Sequence, residues 1–376
     1  MYRFLIVDTY YFDFLNSFYK KYSIKDKSYE EHLKIIMGEL FGTADFYSSN
    51  LKRLGCEARE IIFNDFELQH KWANEHGLKV VSSIFPRKIN QQYSILNKIP
   101  LVPWQLNEYY KILKAQIRYY KPEILYIQDI GTINDRFLSE VKPDIKLLVG
   151  QIASPIPKNR NLKVYDLIFT SFPHFVKKFR EIGINSEYLK IAFEPAVLEK
   201  INNLERKYNC TFIGGLTKVH RNRIKILETL INKLKIELWG YGVETLPNES
   251  PIRNNYHGEA WGIEMYRILA QSKITINIHI DVAENYANNM RLYEATGCGA
   301  MLITDYKDNL NELFEIGKEV IAYKNVEELV DLIKYYTSRD SERETIAKAG
   351  QRKTLTEHTY LNRMKEILEI LPKYLR

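Results

Sequence analysis

The chain has 376 residues, 45 % hydrophobic and 27 % charged, a globular balance that excludes a disordered or collagen-like protein and suffices for two cores. Lys and Arg exceed Asp and Glu by 54 − 47 = 7, a mild and scattered excess. It suits phosphates or an anionic membrane surface and is too weak to argue for nucleic acid.

The first residues, Met1–Asp8, form an apolar run too short for a signal peptide. No run approaches the ~20 apolar residues of a membrane span. Cys56, Cys210 and Cys298 lack CxxC spacing, which argues against a disulfide framework or a structural zinc site. The expectation is a reduced, cytoplasmic protein. Its 27 tyrosines and many bases also suit peripheral contact at the inner face of a membrane.

Phe4–Val7 reads as a buried strand and Tyr29–Leu54 as a helix ended by Gly55. Ala58–Phe63, Ile124–Ile127, Ile145–Val149 and Leu167–Thr170 are short apolar runs of strand type. Segment 64–115, with Pro86, Pro100 and Pro103, shows no period and reads as an irregular lid or binding loop. The rhythm restarts near Tyr208. Cys210–Ile213, Ile236–Trp239, Ile274–Ile280 and Ala300–Thr304 read as strands. His220–Leu234, Ile263–Gln271, Met290–Thr296, Val326–Thr337 and Glu357–Tyr374 read as helices. This alternation predicts the α/β class, with two Rossmann-like domains built on parallel sheets. The expected division is 1–194, a linker at 195–207 starting with Pro195, a second domain at 208–355, and a last helix within 356–376. Ligands of such sheets bind at the carboxyl ends of the strands, here expected to face each other across a cleft.

The stretch from Asn288 to Ala300 carries the densest chemistry. Arg291 and Glu294 fall at i,i+3 on one helix face, and Asn289 stands at the N-cap. The first amides of a helix have no intrahelical partner and attract anions. A diphosphate would gain from them and from Arg291, while Glu294 suits a ribose diol. Gly297 and Gly299 end the helix and allow close approach. The plain alternative is a capped helix with a surface Arg–Glu pair. Gly214-Gly215-Leu-Thr217-Lys218-Val-His220-Arg221 follows a strand and opens a helix, so its amides and bases suit a phosphate, although the P-loop spacing is absent. Tyr256-His257-Gly258-Glu-Ala260 suits a nucleobase edge, or is simply a Gly-rich turn. His279, near Asn277, is a ligand contact or a satisfied core histidine. No Asp-x-Asp, HExxH, GxSxG or GxGxxG occurs, so no metal site and no cofactor is expected.

The second half resembles the group 1 glycosyltransferases of GT-B fold (GT4-like), and within them the CgeB-like (spore maturation protein) branch. The matching residues are Phe212-Ile-Gly-Gly-Leu, His220-Arg221, Leu238-Trp-Gly240, Tyr256-His-Gly258, Asn277-Ile-His279, the run Asn289–Ala300, Leu302-Ile-Thr-Asp305, Leu313–Glu319 and Glu327-Glu-Leu329, over about 208–360. The first half matches only in rhythm, at Asp166–Ser171 and Ile191–Pro195. The resemblance implies a donor nucleotide sugar (UDP-, dTDP- or GDP-linked) on the second domain. It places a carbohydrate, glycolipid or protein acceptor mainly on the first, with the last helix crossing back. By position it gives Glu294 the ribose, Gly258 and its neighbours the base, and Gly215 with Lys218 or Arg221 the phosphates. Arg291 is assigned to the diphosphate by its charge. The E-x7-E pattern of better-known members is absent: Tyr286 stands eight residues before Glu294, and Glu284, Asn285, Asn288 or Asn289 is left for the first position.

Transfer without a metal clamp requires helix N-termini, Lys218, Arg221 and Arg291 to stabilise the leaving diphosphate. A retaining enzyme would let that phosphate take the proton, whereas an inverting one needs a base, for which Asp8 and Asp129 are placed after strands. A nucleotide-sugar epimerase and a non-catalytic scaffold are the alternatives.

Overall fold

The computed structural model describes residues 1–80, 103–201 and 204–375. Met1–Leu189 with Met364–Arg376 form one compact unit and Lys190–Arg363 the other.

The first unit is built on a parallel sheet of order β2-β1-β3-β4-β5-β6. Its strands are β1 Arg3–Asp8, β2 Glu57–Ile62, β3 Ile124–Ile127, β4 Leu147–Ile152, β5 Leu167–Thr170 and β6 Ser186–Tyr188. About half of their residues are β-branched or aromatic and most are buried, as a sheet covered by helices requires. The connecting helices are α1 Phe12–Lys21, α2 Tyr29–Met37, α3 Phe46–Arg53, α4 Phe66–Glu75, α5 Pro103–Tyr120, α6 Asp135–Val141 and α7 Pro173–Glu181. Ser28 and Glu31 cap α2 reciprocally, and Asp65 and Asn134 cap α4 and α6.

Two expectations change here. The helix read over Tyr29–Leu54 is two helices, α2 and α3. Between them Leu40, Gly42 and Ala44 take left-handed backbone, which a helix cannot accommodate. Segment 64–115 is not irregular throughout, because α4 and most of α5 lie in it. Pro86, Pro100 and the rest of 81–102 lie outside the described residues.

The second unit carries a parallel sheet of order β11-β10-β9-β7-β8. These strands are β7 Tyr208–Ile213, β8 Glu237–Trp239, β9 Ser272–Asn277, β10 Met301–Asp305 and β11 Ile321–Tyr323. Its helices are α8 Ala196–Ile201, α9 Arg221–Ile231, α10 Gly262–Ala270, α11 Met290–Gly297, α12 Val326–Thr337 and α13 Asp340–Glu357, and α14 Tyr360–Ile370 runs across the division of the units. Within the stretch 195–207, α8 packs on α10. The core joins Leu216, Leu227, Leu238, Ile276, Met301 and Ile303, all fully buried. Removing one such side chain down to Ala costs about 2–5 kcal/mol.

Topology fixes where a ligand can sit. From β7 the chain first adds β8 on one side, then returns to place β9 on the other. The loops after β7 and β9 therefore part and leave a crevice at the carboxyl edge, the switch point of the sheet. In the first unit the same reversal falls between β1 and β3.

Candidate active site

Glycine creates the floor at the end of β7. A Cβ on Gly215 would stand 2.7 Å from the His220 ring and 2.8 Å from the Tyr241 hydroxyl. A Cβ on Gly240, after β8, would overlap the Gly214 carbonyl oxygen at 1.9 Å. The two turns are thereby pressed together. The Gly214 amide donates to Trp239 O (3.0 Å) and the Leu216 amide to Tyr241 O (2.8 Å).

The cation at this turn is Arg223, not Arg221. Arg221 begins α9 and is exposed. Arg223 lies on the buried stripe that continues through Leu227 and Leu230. Its Nη1 donates to Gly215 O (3.0 Å) and its Nη2 to Ile278 O (2.8 Å), and it rests over the Phe212 ring. Burial brings it down to about 10, so it stays charged at neutral pH. Its Nε has no partner among the described residues. Lys218 heads the 3-10 turn Lys218–His220. His220 is not a phosphate cation. Burial, with Arg223 beside it, lowers it to about 4, and its Nδ1 pairs with buried Thr217 Oγ1 at 3.0 Å.

Across the switch point, Asn277 ends β9 and His279 follows it. Asn277 and Asn289 exchange side-chain amide bonds (2.8 and 3.3 Å). Asn289 thus occupies the N-cap position of α11 without capping it, and among the described residues no side chain bonds the helix's first amides. Asp305, at the end of β10, accepts from His279 Nδ1 at 2.7 Å. Burial would raise the Asp305 carboxyl, but His279 and Lys307 outweigh it and hold it low. Asn288 Oδ1 is taken up by the Tyr293 hydroxyl and the Ile191 amide.

Arg291 and Glu294 are not a surface pair. Their side chains are 14 % and 6 % exposed, and Arg291 Nη1 lies 2.9 Å from Glu294 Oε2. The contact is bent away from the N–H direction, so Nη1 and Nε of Arg291 make no hydrogen bond among the described residues. Nη2 turns to Met265 sulfur at 3.2 Å. Burial pushes the Glu294 carboxyl up, opposed by Arg291. Arg291 and Asp305 are both within electrostatic reach of Arg223. The strand ends and the start of α11 therefore bring together two guanidinium groups with unmet donors, one of them beside a buried carboxylate.

The other expected residues have the following partners within the fold. Gly258 O receives the Gly240 amide, and Tyr256 OH donates to Gly240 O at 2.7 Å. His257 stacks on Trp239 and meets Glu237 Oε2 at 2.5 Å on the edge strand β8. Ala260 is buried. Gly297 and Gly299 lie at the far end of α11. A Cβ on Gly297 would enter the Phe193 ring, and Gly299 O is held by Arg206. Glu284 is exposed, and its carbonyl receives Lys307 Nζ.

In the first unit Asp8 and Asp129 line a narrow crevice with Thr9, Thr132 and Ile133 at its own switch point. Burial raises Asp8 to about 7, against the Thr9 amide at 2.7 Å that lowers it. Asp129 closes a turn through the Gly131 amide and the Thr132 hydroxyl. Among the described residues no three His, Cys, Asp or Glu side chains come together as a metal-ligand set, and no helix is long and apolar enough to cross a membrane.

Residues 221–369 match the family described as glycosyl transferase-like, and the whole chain matches solved structures of GT-B type. The chain has the GT-B fold. It is similar to a glycosyltransferase from Rickettsia africae ESF-5, with 13 % identity, TM-score 0.57, and 99 % of this chain and 98 % of that one covered. It is similar to AviGT4, a glycosyltransferase involved in avilamycin A biosynthesis, at 11 %, TM-score 0.58, and 100 % and 98 % coverage. It is also similar to Anabaena HepE in complex with UDP-glucose, at 12 %, TM-score 0.56, and 99 % and 100 % coverage. These likenesses establish the fold. No curated protein sequence matches the chain.

Proposed function

We propose that the second unit binds a nucleoside diphosphate sugar at its switch point and that the protein transfers the sugar to a carbohydrate, glycolipid or protein acceptor, as a CgeB-like member of the family. The observation that carries this reading is the pairing of unmet guanidinium donors on Arg223 and Arg291 with the uncapped start of α11. A diphosphate has the charge and the acceptors that those donors lack. Glu294 accepts from the ribose hydroxyls. HepE was solved with UDP-glucose, which supports a uridine donor as the first to try.

In the transfer, the bond between the anomeric carbon and the diphosphate breaks and its electron pair passes to the phosphate oxygen. Arg223, Arg291 and the α11 amides stabilise the growing charge, so that no metal is needed. Loss of one such group costs about 2–4 kcal/mol of barrier. The acceptor oxygen bonds to the same carbon. In the retaining course favoured here, its proton leaves with the diphosphate.

Thermal shift with UDP, GDP, dTDP, CDP and ADP, with and without EDTA, tests the reading on wild type and Glu294→Ala. Selective, EDTA-insensitive stabilisation that the variant loses is expected. No shift at millimolar concentration would overturn it in favour of a scaffold.

A further inference from the structure

We propose that His279 reads the transferred sugar: its Nε2 accepts a hydrogen bond from a hydroxyl of the sugar carried on the diphosphate. The inference rests on the donor-binding reading above and names a specificity residue within it.

Asp305 grips His279 twice. Oδ1 accepts from the backbone amide at 3.1 Å and from ring Nδ1 at 2.7 Å. The first bond fixes the main chain and the second fixes the ring. With its proton on Nδ1, the imidazole offers Nε2 as a lone-pair acceptor on its other side. The side chain is 1 % exposed, and Nε2 has no partner among the described residues. A buried acceptor left unmet is costly, and native sites rarely keep one without use.

The neighbours decide what that acceptor takes. Asp305 and Lys307 (3.4 Å from Asp305 Oδ2) face it from β10 and the following loop. Arg223 holds the carbonyl of adjacent Ile278 from α9. From β11, the Tyr323 hydroxyl reaches Asn277 O at 3.4 Å. Arg291 lies on α11, whose first turn is tied to Asn277 through Asn289. The unmet groups on Arg223 and Arg291 are all donors, which phosphate oxygens satisfy. Nε2 is the opposite, an acceptor, and an ionised diphosphate has no hydrogen to give it. Hydroxyl hydrogens occur on the ribose and on the sugar. Glu294 takes the ribose, which leaves the sugar for His279.

The test is calorimetry with two matched pairs, UDP-glucose against UDP and GDP-mannose against GDP, on wild type, His279→Leu and His279→Gln. The Leu variant should keep nucleoside diphosphate affinity within about twofold and lose about tenfold for the nucleotide sugar, with partial recovery in the Gln variant. Equal losses for both members of a pair, or no loss for either, overturn the proposal. Should the Leu variant not fold, the wild type still decides. The Nε2 nitrogen resonance should move on adding the nucleotide sugar and stay in place with the diphosphate alone, and an equal response to both overturns the proposal. Failure of the wild type to bind any of the four ligands overturns the donor-site reading, and the proposal with it.

Discussion

Arg223 and Ile278 are joined across the switch point: the guanidinium Nη2 reaches from α9 to the Ile278 carbonyl at 2.8 Å, while Nη1 holds Gly215 O. One planar fork thus sets the spacing of the two loops that bound the site. Lysine has the charge without the fork. Arg223→Lys should leave one buried carbonyl unmet and lose about 1–3 kcal/mol of stability in urea denaturation. Turnover should fall by about 10²–10³.

The Arg291–Glu294 pair separates stability from binding. Arg291→Met leaves a buried carboxylate alone and should cost about 3 kcal/mol. Arg291→Met with Glu294→Met replaces both charges with apolar volume and should return to within about 1 kcal/mol of wild type. Neither protein should show a nucleoside diphosphate shift. Restored binding in the double variant would refute the assigned roles.

Asp8 gives a pH signature. Its folded value, about 7, lies above the ordinary 3.8. Below about pH 4 both folded and unfolded chains hold the proton. As pH rises from there to about 7, the unfolded chain releases it first and stability falls; above that the loss is constant. Asp8→Asn lacks the ionisation. Its stability relative to wild type should climb by about 2–4 kcal/mol between pH 4 and 7 and then level off. A flat difference over that range in urea titrations would show that Asp8 is not held this way.

Two glycines with left-handed backbone should respond differently to alanine. At Gly240 (φ 141°) the new Cβ meets Gly214 O at 1.9 Å, whereas at Gly258 (φ 105°) nothing lies within 4 Å. Gly258→Ala should cost only backbone strain, about 1–2 kcal/mol. Gly240→Ala should cost more than about 3 kcal/mol or prevent folding. Thermal denaturation of the two variants provides the comparison.

The strands were legible because their apolar runs are short and bounded by turn residues, as at Ile124–Ile127. What failed to show was structure without an apolar rhythm. The buried stripe of α13 is Arg343, Ile346, Ala347, Gly350 and Thr354, spaced as a helix but mostly small or polar. Gly350 is needed there because a Cβ would strike the Glu319 carbonyl. The break between α2 and α3 depends on left-handed Leu40 and Ala44, residues that do not announce a turn. In the site, Arg291 and Glu294 were visible from their i,i+3 spacing. Arg223 was hidden, although its place four residues before Leu227 on the buried stripe was the available signal. The burial of Asp8 depends on packing between distant segments and leaves no local trace.

The reciprocal amide clasp of Asn277 and Asn289 has a thermodynamic consequence. It anchors the first turn of α11 to β9, and Asn277 is held in turn by β10, its Nδ2 also reaching Thr304 Oγ1 at 2.9 Å. The amides proposed to meet an anion are therefore ordered by the protein's own side chains. Binding then requires little loss of conformational entropy on the protein side, and affinity reflects the interactions formed more directly than it would at a loop that must first be organised.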